Sequence, residues 1–195
     1  SEMCIRDRSW VNEQRFLATS EGSRIEQYLI RGLPQFNVTA VNRETGDFQT
    51  RRSFGGPQAR GYEYMESYPW KGEVQQAADE AVAKLKATSV EPGRYDLVIH
   101  PTNLWLTIHE SIGHPIELDR VLGTEANFAG MSFLTLEKLG HLRYGSDIVN
   151  VVCDARLEHG PGLGTFAFDD EGVPAQCTNI IKDGLFTGYM TSRET

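Results

Sequence analysis

Residues 101–119 read PTNLWLTIHESIGHPIELD, and the fold class turns on how this stretch is built. Pro101-Thr102-Asn103 supplies a cap and first turn for a helix. Leu104, Trp105, Ile108 and Ile112 give that helix apolar contacts on its way to two histidines. A helix here, with strand-like sequence on either side, makes the chain α+β: a twisted antiparallel sheet region, then helices carrying His-Glu-x-x-x-His, then a C-terminal β-rich segment.

His109-Glu110-Ser111-Ile112-Gly113-His114 contains the parts of a catalytic zinc site. Zinc takes neutral imidazole nitrogens, and catalysis adds an open coordination position and a nearby carboxylate that accepts a proton from water. His109 and His114 are therefore the candidate metal ligands and Glu110 the candidate general base. With 5 histidines in 195 residues, chance produces this pattern in on the order of one such sequence in a hundred, so the three residues are read as one site. A structural zinc site closes all four positions with Cys and His, whereas a glutamate beside the first ligand suits water activation.

The spacing is awkward. Residues i and i+5 of a regular α-helix diverge by about 140°, too far for both imidazoles to reach one ion. The helix is thus expected to deform or end between Ile112 and Pro115. Gly113 permits unusual backbone angles, and Pro115 disfavours helical geometry at His114 while removing the hydrogen bond to the Ser111 carbonyl.

Upstream, residues 15–54 alternate as antiparallel strands, with turns at Glu21-Gly22 and Thr45-Gly46-Asp47. Gly55, Gly56 and Pro57 interrupt the strands, and GYEYMESY (61–68) resumes them. Residues 72–88 place Val74, Ala77, Ala78, Ala81, Val82 and Leu85 on one helical stripe. After Glu91-Pro92-Gly93, residues 94–99 (RYDLVI) read as a short buried strand. Downstream of Gly123 the chain is irregular; residues 147–154 then form a strand, and 175–189 a hairpin turning at Lys182-Asp183-Gly184.

Nineteen basic against 27 acidic residues give a net charge of -8, which repels a phosphate backbone and argues against nucleic acid as a partner. The Arg43, Arg51, Arg52 and Arg60 cluster reads as a solvated strand and loop surface. No stretch reaches the roughly 18 consecutive apolar residues of a membrane-spanning helix, so no membrane partner is expected. Three widely spaced cysteines and a polar N-terminus point to a reducing, cytoplasmic location. Cys153 and Cys177 are expected in buried strands. Glu117, Asp119, His141 and His159 are further potential donors, each expected on the surface or in hydrogen bonds. Residues 158–164 and 169–172 are expected to form a glycine-rich loop and an acidic turn.

HESIGHPIELDRVLGTEANFAGMSF (109–133) and FAFDDEGVPAQCTNIIKDGLFTGYMTSRET (166–195) resemble the TldD/PmbA family of modulator-of-gyrase metallopeptidases. The resemblance extends from about Arg15 to Thr195 and covers well under half of a typical member. It implies zinc held by His109 and His114, catalysis by Glu110, cleavage of unfolded peptides or small proteins, and work beside a homologous subunit in a homo- or heterodimer. It also implies a third zinc ligand, a cysteine expected beyond Thr195, so that the isolated chain holds an incomplete, inactive site. The alternative from a different class is a noncatalytic scaffold or partner subunit of a peptidase complex. SEMCIRDR at 1–8 resembles a translated sequencing-adapter remnant and is set apart as a non-native leader. Residues 9–70 form the β-rich segment, and 71–195 the α+β metal-helix segment of the same incomplete peptidase.

Overall fold

In strand β2 (Arg24–Val41) every second residue from Gly32 to Ala40 is buried, the period-two pattern of a sheet with one face on a core. The computed structural model describes residues 2–156 and 161–195, with residues 2–8 as backbone alone. The chain divides into two compact units: one comprises Ser1–Gln14, Tyr28–Val98 and Pro161–Leu163, the other Arg15–Gln27, Ile99–Gly160 and Gly164–Thr195. The architecture is α+β. Strand β1 (Glu2–Ala18) starts inside the segment set apart as a leader.

In the first unit β2 pairs antiparallel with β3 (Phe48–Arg52), from Asn37 opposite Arg52 to Val41 opposite Phe48. The expected turn joins them: the Gly46 N–H donates to Asn42 O, and Asn42 N–H to Asp47 O. Phe36 and Val38 pack on Ala77, with Tyr68, Trp70, Val74 and Ala78 around them. Ala77 and Ala81 lie on the buried stripe of helix α2 (Trp70–Lys86), which starts two residues earlier than the sequence suggests.

Three expectations fail in this unit. GYEYMESY is not a strand: Tyr62–Ser67 form helix α1. Its aromatic spacing also serves a helix, because Tyr64, Met65 and Tyr68 fall on one face. Tyr64 Oη donates to Gly56 O, and Trp70 Nε1 donates to Met65 O. Arg51 is not solvated. It lies buried over the Phe54 ring, paired with Glu73 at 2.7 Å and Glu80 at 2.8 Å. Finally, residues 94–99 form no strand, and Leu97 and Val98 are 77% and 104% exposed. An apolar run becomes a buried strand only where another strand takes up its backbone groups, and none pairs with it among the described residues.

In the second unit the β1–β2 turn closes at Thr19–Ser23, as the Glu21-Gly22 pair suggests. Strands β4 (Val151–Asp154), β5 (Cys177–Lys182) and β6 (Leu185–Phe186) form an antiparallel sheet in that order. Asp183 (φ 48°) and Gly184 (φ 77°) make the hairpin turn with two left-handed residues, matching the twist of the strands they join. Strand β4 is shorter than expected, because Val149 N–H donates to Ser146 O in a turn. Ile116, Val121, Leu134, Ile180, Ile181, Phe186 and Tyr189 form the core. Cys153 lies half-buried against it, while Cys177 is exposed, correcting the expectation that both are buried.

Candidate metal centre

Helix α3 (Pro101–Ile108) begins as expected, with Pro101 in its first turn, but its cap is the His100 side chain, which accepts the Thr102 N–H. None of its residues is buried. Trp105 and Ile108 are 61% and 45% exposed, so only Leu104, partly covered, and Ile112, which packs on the core, approach the apolar role expected of them.

At His109 the helix widens. His109–Gly113 form a π turn closed by the His114 N–H donating to His109 O, and His114–Ile116 continue as a 3-10 turn. A hydrogen bond from i+5 to i brings residues five apart into line, which a regular α-helix cannot do. The two imidazole centroids are 4.3 Å apart with planes at 82°. The deformation begins earlier than the Ile112–Pro115 window, and two local reasons offered for it change. Gly113 sits at φ -52°, ψ -63°, and His114 at φ -65°, ψ -41°. Both are ordinary right-handed values, so Gly113 uses none of its special freedom, and the helix passes Pro115 by widening instead of ending.

Pro115 has no N–H to give the Ser111 carbonyl, and a side chain reaches it instead: Tyr144 Oη donates to Ser111 O. Burial pushes the Tyr144 phenol above its ordinary pKa, which keeps it a donor. Ser132 Oγ fixes the next carbonyl, donating to Pro115 O at 2.6 Å. The Met190 N–H donates to Ile116 O at 2.8 Å, and the Leu118 N–H to Met190 O at 2.9 Å. The segment behind His114 is thereby tied to the core, while His109 and Glu110 stand 50% and 62% exposed in front of it. Tyr144→Phe removes this bond, whose acceptor lies on an exposed residue, and should cost about 0.5–1.5 kcal/mol, read as a lower urea midpoint at unchanged slope. An unchanged midpoint would show that water replaces the phenol without loss.

Among the described residues, His109, Glu110 and His114 form a group whose donor atoms all lie within 4.8 Å of one another. His109 Nε2 stands 3.9 Å from Glu110 Oε1. Two ligands of a tetrahedral zinc with bonds of about 2.1 Å are about 3.4 Å apart, so small side-chain rotations suffice to close the set. The donor chemistry, two imidazoles with a carboxylate, fits zinc. Helix α4 (Leu118–Leu122) follows, ending at Gly123 in the left-handed conformation (φ 84°).

The other potential donors are placed elsewhere. Glu117 is spoken for on both oxygens: His114 Nδ1 lies 2.9 Å from Oε1, and Arg120 Nε donates to Oε2 at 3.1 Å. Asp119 Oδ1 accepts the Arg120 N–H at 2.9 Å. His141 is exposed. His159, with Glu158 and Gly160, lies outside the described residues. The acidic turn exists as expected, Asp169 Oδ1 accepting the N–H groups of Glu171 and Val173. The spacing of Glu117 and Arg120, three residues after His114 and Glu117 respectively, signals their neighbourhood. No local signal announces Tyr144, 33 residues from its partner.

Residues 92–195 match the family described as PmbA/TldA metallopeptidase C-terminal domain. Metalloprotease MJ0996 of Methanocaldococcus jannaschii is 32% identical over 183 residues, 93% of this chain and 37% of that protein. A zinc metalloprotease TldD homolog of Saccharolobus solfataricus is 29% identical over 112 residues, 57% of this chain and 23% of its own length. A solved Thermotoga maritima protein named for modulation of a DNA gyrase shares the fold at a TM-score of 0.73 and 19% identity, over 93% of this chain and 38% of its own. The chain spans little more than a third of the length of the curated relatives it matches most fully.

Proposed function

Because this chain belongs to the PmbA/TldD metallopeptidase family, we propose that it carries the catalytic helix of a zinc-dependent peptidase acting on unfolded peptides or small proteins. The observation that carries this is the π turn, which sets the imidazoles of His109 and His114 4.3 Å apart with the Glu110 carboxylate beside them. His109 and His114 hold the metal. When bound, zinc supplies Lewis acidity toward a peptide carbonyl and acidifies water. Glu110 takes a proton from the attacking water and can return it to the departing amine. Its exposure leaves room for water and a peptide to approach.

A cleft lined by residues including Cys153, Asp154, Thr178, Tyr189 and Met190 supports a peptide substrate. Met190 belongs both to this cleft and to the backbone bridge with Glu117, so one wall of the cleft is continuous with the metal segment. Strand β4 stands at one edge of its sheet and could accept an extended peptide as an added strand. A homologous subunit is part of the proposal. No helix among the described residues is long and apolar enough to cross a membrane.

Two imidazoles fall short of the three protein ligands usual at catalytic zinc. The third, a cysteine in the family's remaining length, is proposed to come from outside these residues. The 195-residue chain is therefore expected to bind zinc much more weakly than a protein of the relatives' length, and to hydrolyse little peptide alone. A competition titration with a chromophoric chelator compares the two, both confirmed folded. Equally tight stoichiometric binding by the short chain would overturn the incomplete-site proposal and return attention to Asp119, Cys153 and Cys177.

A further inference from the structure

The Nδ1 of His114 meets two polar partners, and which ring nitrogen carries the proton decides whether the other can serve a metal. A neutral imidazole has one N–H and one lone pair, and the partner of the first fixes the direction of the second. Two groups compete at Nδ1. Glu117 Oε1 lies 2.9 Å away and can only accept; Arg120 Nη2 lies 3.2 Å away and can only donate. If Arg120 donated, the proton would move to Nε2 and block it as a ligand. If Glu117 accepts, Nε2 keeps its lone pair.

The surroundings of Arg120 favour the second arrangement. Its Nε donates to Glu117 Oε2 at 3.1 Å, its Nη1 to Ala129 O at 3.3 Å, and its Nη2 lies 3.5 Å from Glu125 Oε2. Arg120, only 16% exposed, is thus braced by two carboxylates and a carbonyl, and it in turn holds the Glu117 carboxylate in place. Histidines that bind metals characteristically donate their other N–H to such a carboxylate.

We propose that Glu117 is a positioning residue: it accepts the Nδ1–H of His114 and so fixes the tautomer whose Nε2 lone pair is available to the metal, with Arg120 as the brace. The proposal rests on the zinc reading above for its purpose, but its core is a property of the metal-free protein. Because both Glu117 oxygens are engaged, it serves behind the ligand and not as one.

The test uses 15N-histidine-labelled protein of the relatives' length, with His114 assigned by comparison with His114→Gln. Long-range proton–nitrogen correlations on the metal-free protein should show the Nδ1–H tautomer at His114. Glu117→Ala removes the acceptor and leaves the Arg120 donor, so the signal should shift toward Nε2–H and zinc affinity, by chelator competition, should fall about 10–100-fold. Glu117→Gln retains an accepting oxygen and should keep most of the affinity. An Nε2–H tautomer in the unsubstituted protein, or a Glu117→Ala protein with unchanged tautomer and affinity, would overturn the assignment. Should Glu117→Ala fail to fold, the unsubstituted tautomer and the Glu117→Gln affinity still decide. A protein that shows Nδ1–H but takes up no zinc would support the Glu117 contact and reject the metallopeptidase reading alone.

Discussion

Glu110→Gln, in a protein of the relatives' length, is expected to keep its zinc and lose peptide hydrolysis by about 100- to 10,000-fold. The amide preserves the shape of the side chain and removes the basic oxygen that receives the proton of water. Nothing in the fold should notice: Glu110 is 62% exposed, and the His109 ring stands 3.9 Å from its carboxylate. Initial rates on an unfolded fluorogenic peptide, paired with metal content by mass spectrometry, separate the outcomes. Equal rates would remove Glu110 as the base. Loss of zinc together with activity would instead make it a ligand.

The largest stability effect is expected far from that chemistry in sequence. Glu73 Oε1 accepts from Arg51 Nη1 and the Phe54 N–H, and Oε2 from Tyr68 Oη. Glu73→Ala removes the acceptor of three donors, one of them a buried guanidinium left with the more exposed Glu80 and the Arg52 carbonyl. Removing one partner of a buried pair costs about 3–5 kcal/mol, measurable by denaturant unfolding; a loss under about 1 kcal/mol would mean that Glu80 and water compensate. Burial by itself raises the Glu73 pKa, but the hydrogen bonds from Tyr68, Arg51 and Phe54 outweigh it and leave the carboxyl below its ordinary value. A hydrogen bond from Arg51 lowers Glu80 in the same sense. Carboxyls whose pKa is lower folded than unfolded add stability above the unfolded value, near 4.3. That contribution is lost as pH falls through the folded value. Stability should therefore decline on acidification below about pH 4, and less steeply in Glu73→Ala.

What could be read in the chain follows from how local the cause is. The hairpin at Asp183-Gly184 and the stripe through Ala77 and Ala81 arise from neighbouring residues, and both appear where expected. The α+β architecture and the juxtaposition of His109 with His114 were also legible, because the i, i+5 spacing on a helix admits few solutions. The failures mark causes supplied by distant parts. Residues 94–99 have strand composition without a strand beside them among the described residues. Residues 61–68 carry aromatics that suit either element until packing decides, and Arg51 acquires its burial from two glutamates on α2. At the site, sequence located the widened turn only roughly and credited it to Gly113 and to Pro115 acting on His114, yet the Gly113 and His114 backbones prove ordinary. The Tyr144 contact and the final pairing of Glu117 needed the fold.

The π turn at His109–Gly113 is, in effect, a single extra residue inserted into an i, i+4 histidine pair. Deleting one of Ser111, Ile112 or Gly113 would give the histidines the spacing that a plain α-helix already satisfies. Were all the residues kept but wound as a plain α-helix, with no wide turn to absorb the extra one, everything after it would turn by about 100° and shift by about 1.5 Å relative to the helix before it. Ile116 would rotate out of the core, and the Pro115 and Ile116 carbonyls would leave Ser132 and Met190. The longer spacing is a register setting: it lets an exposed helix end and an anchored core segment, each fixed by its own surroundings, meet with both imidazoles on one side.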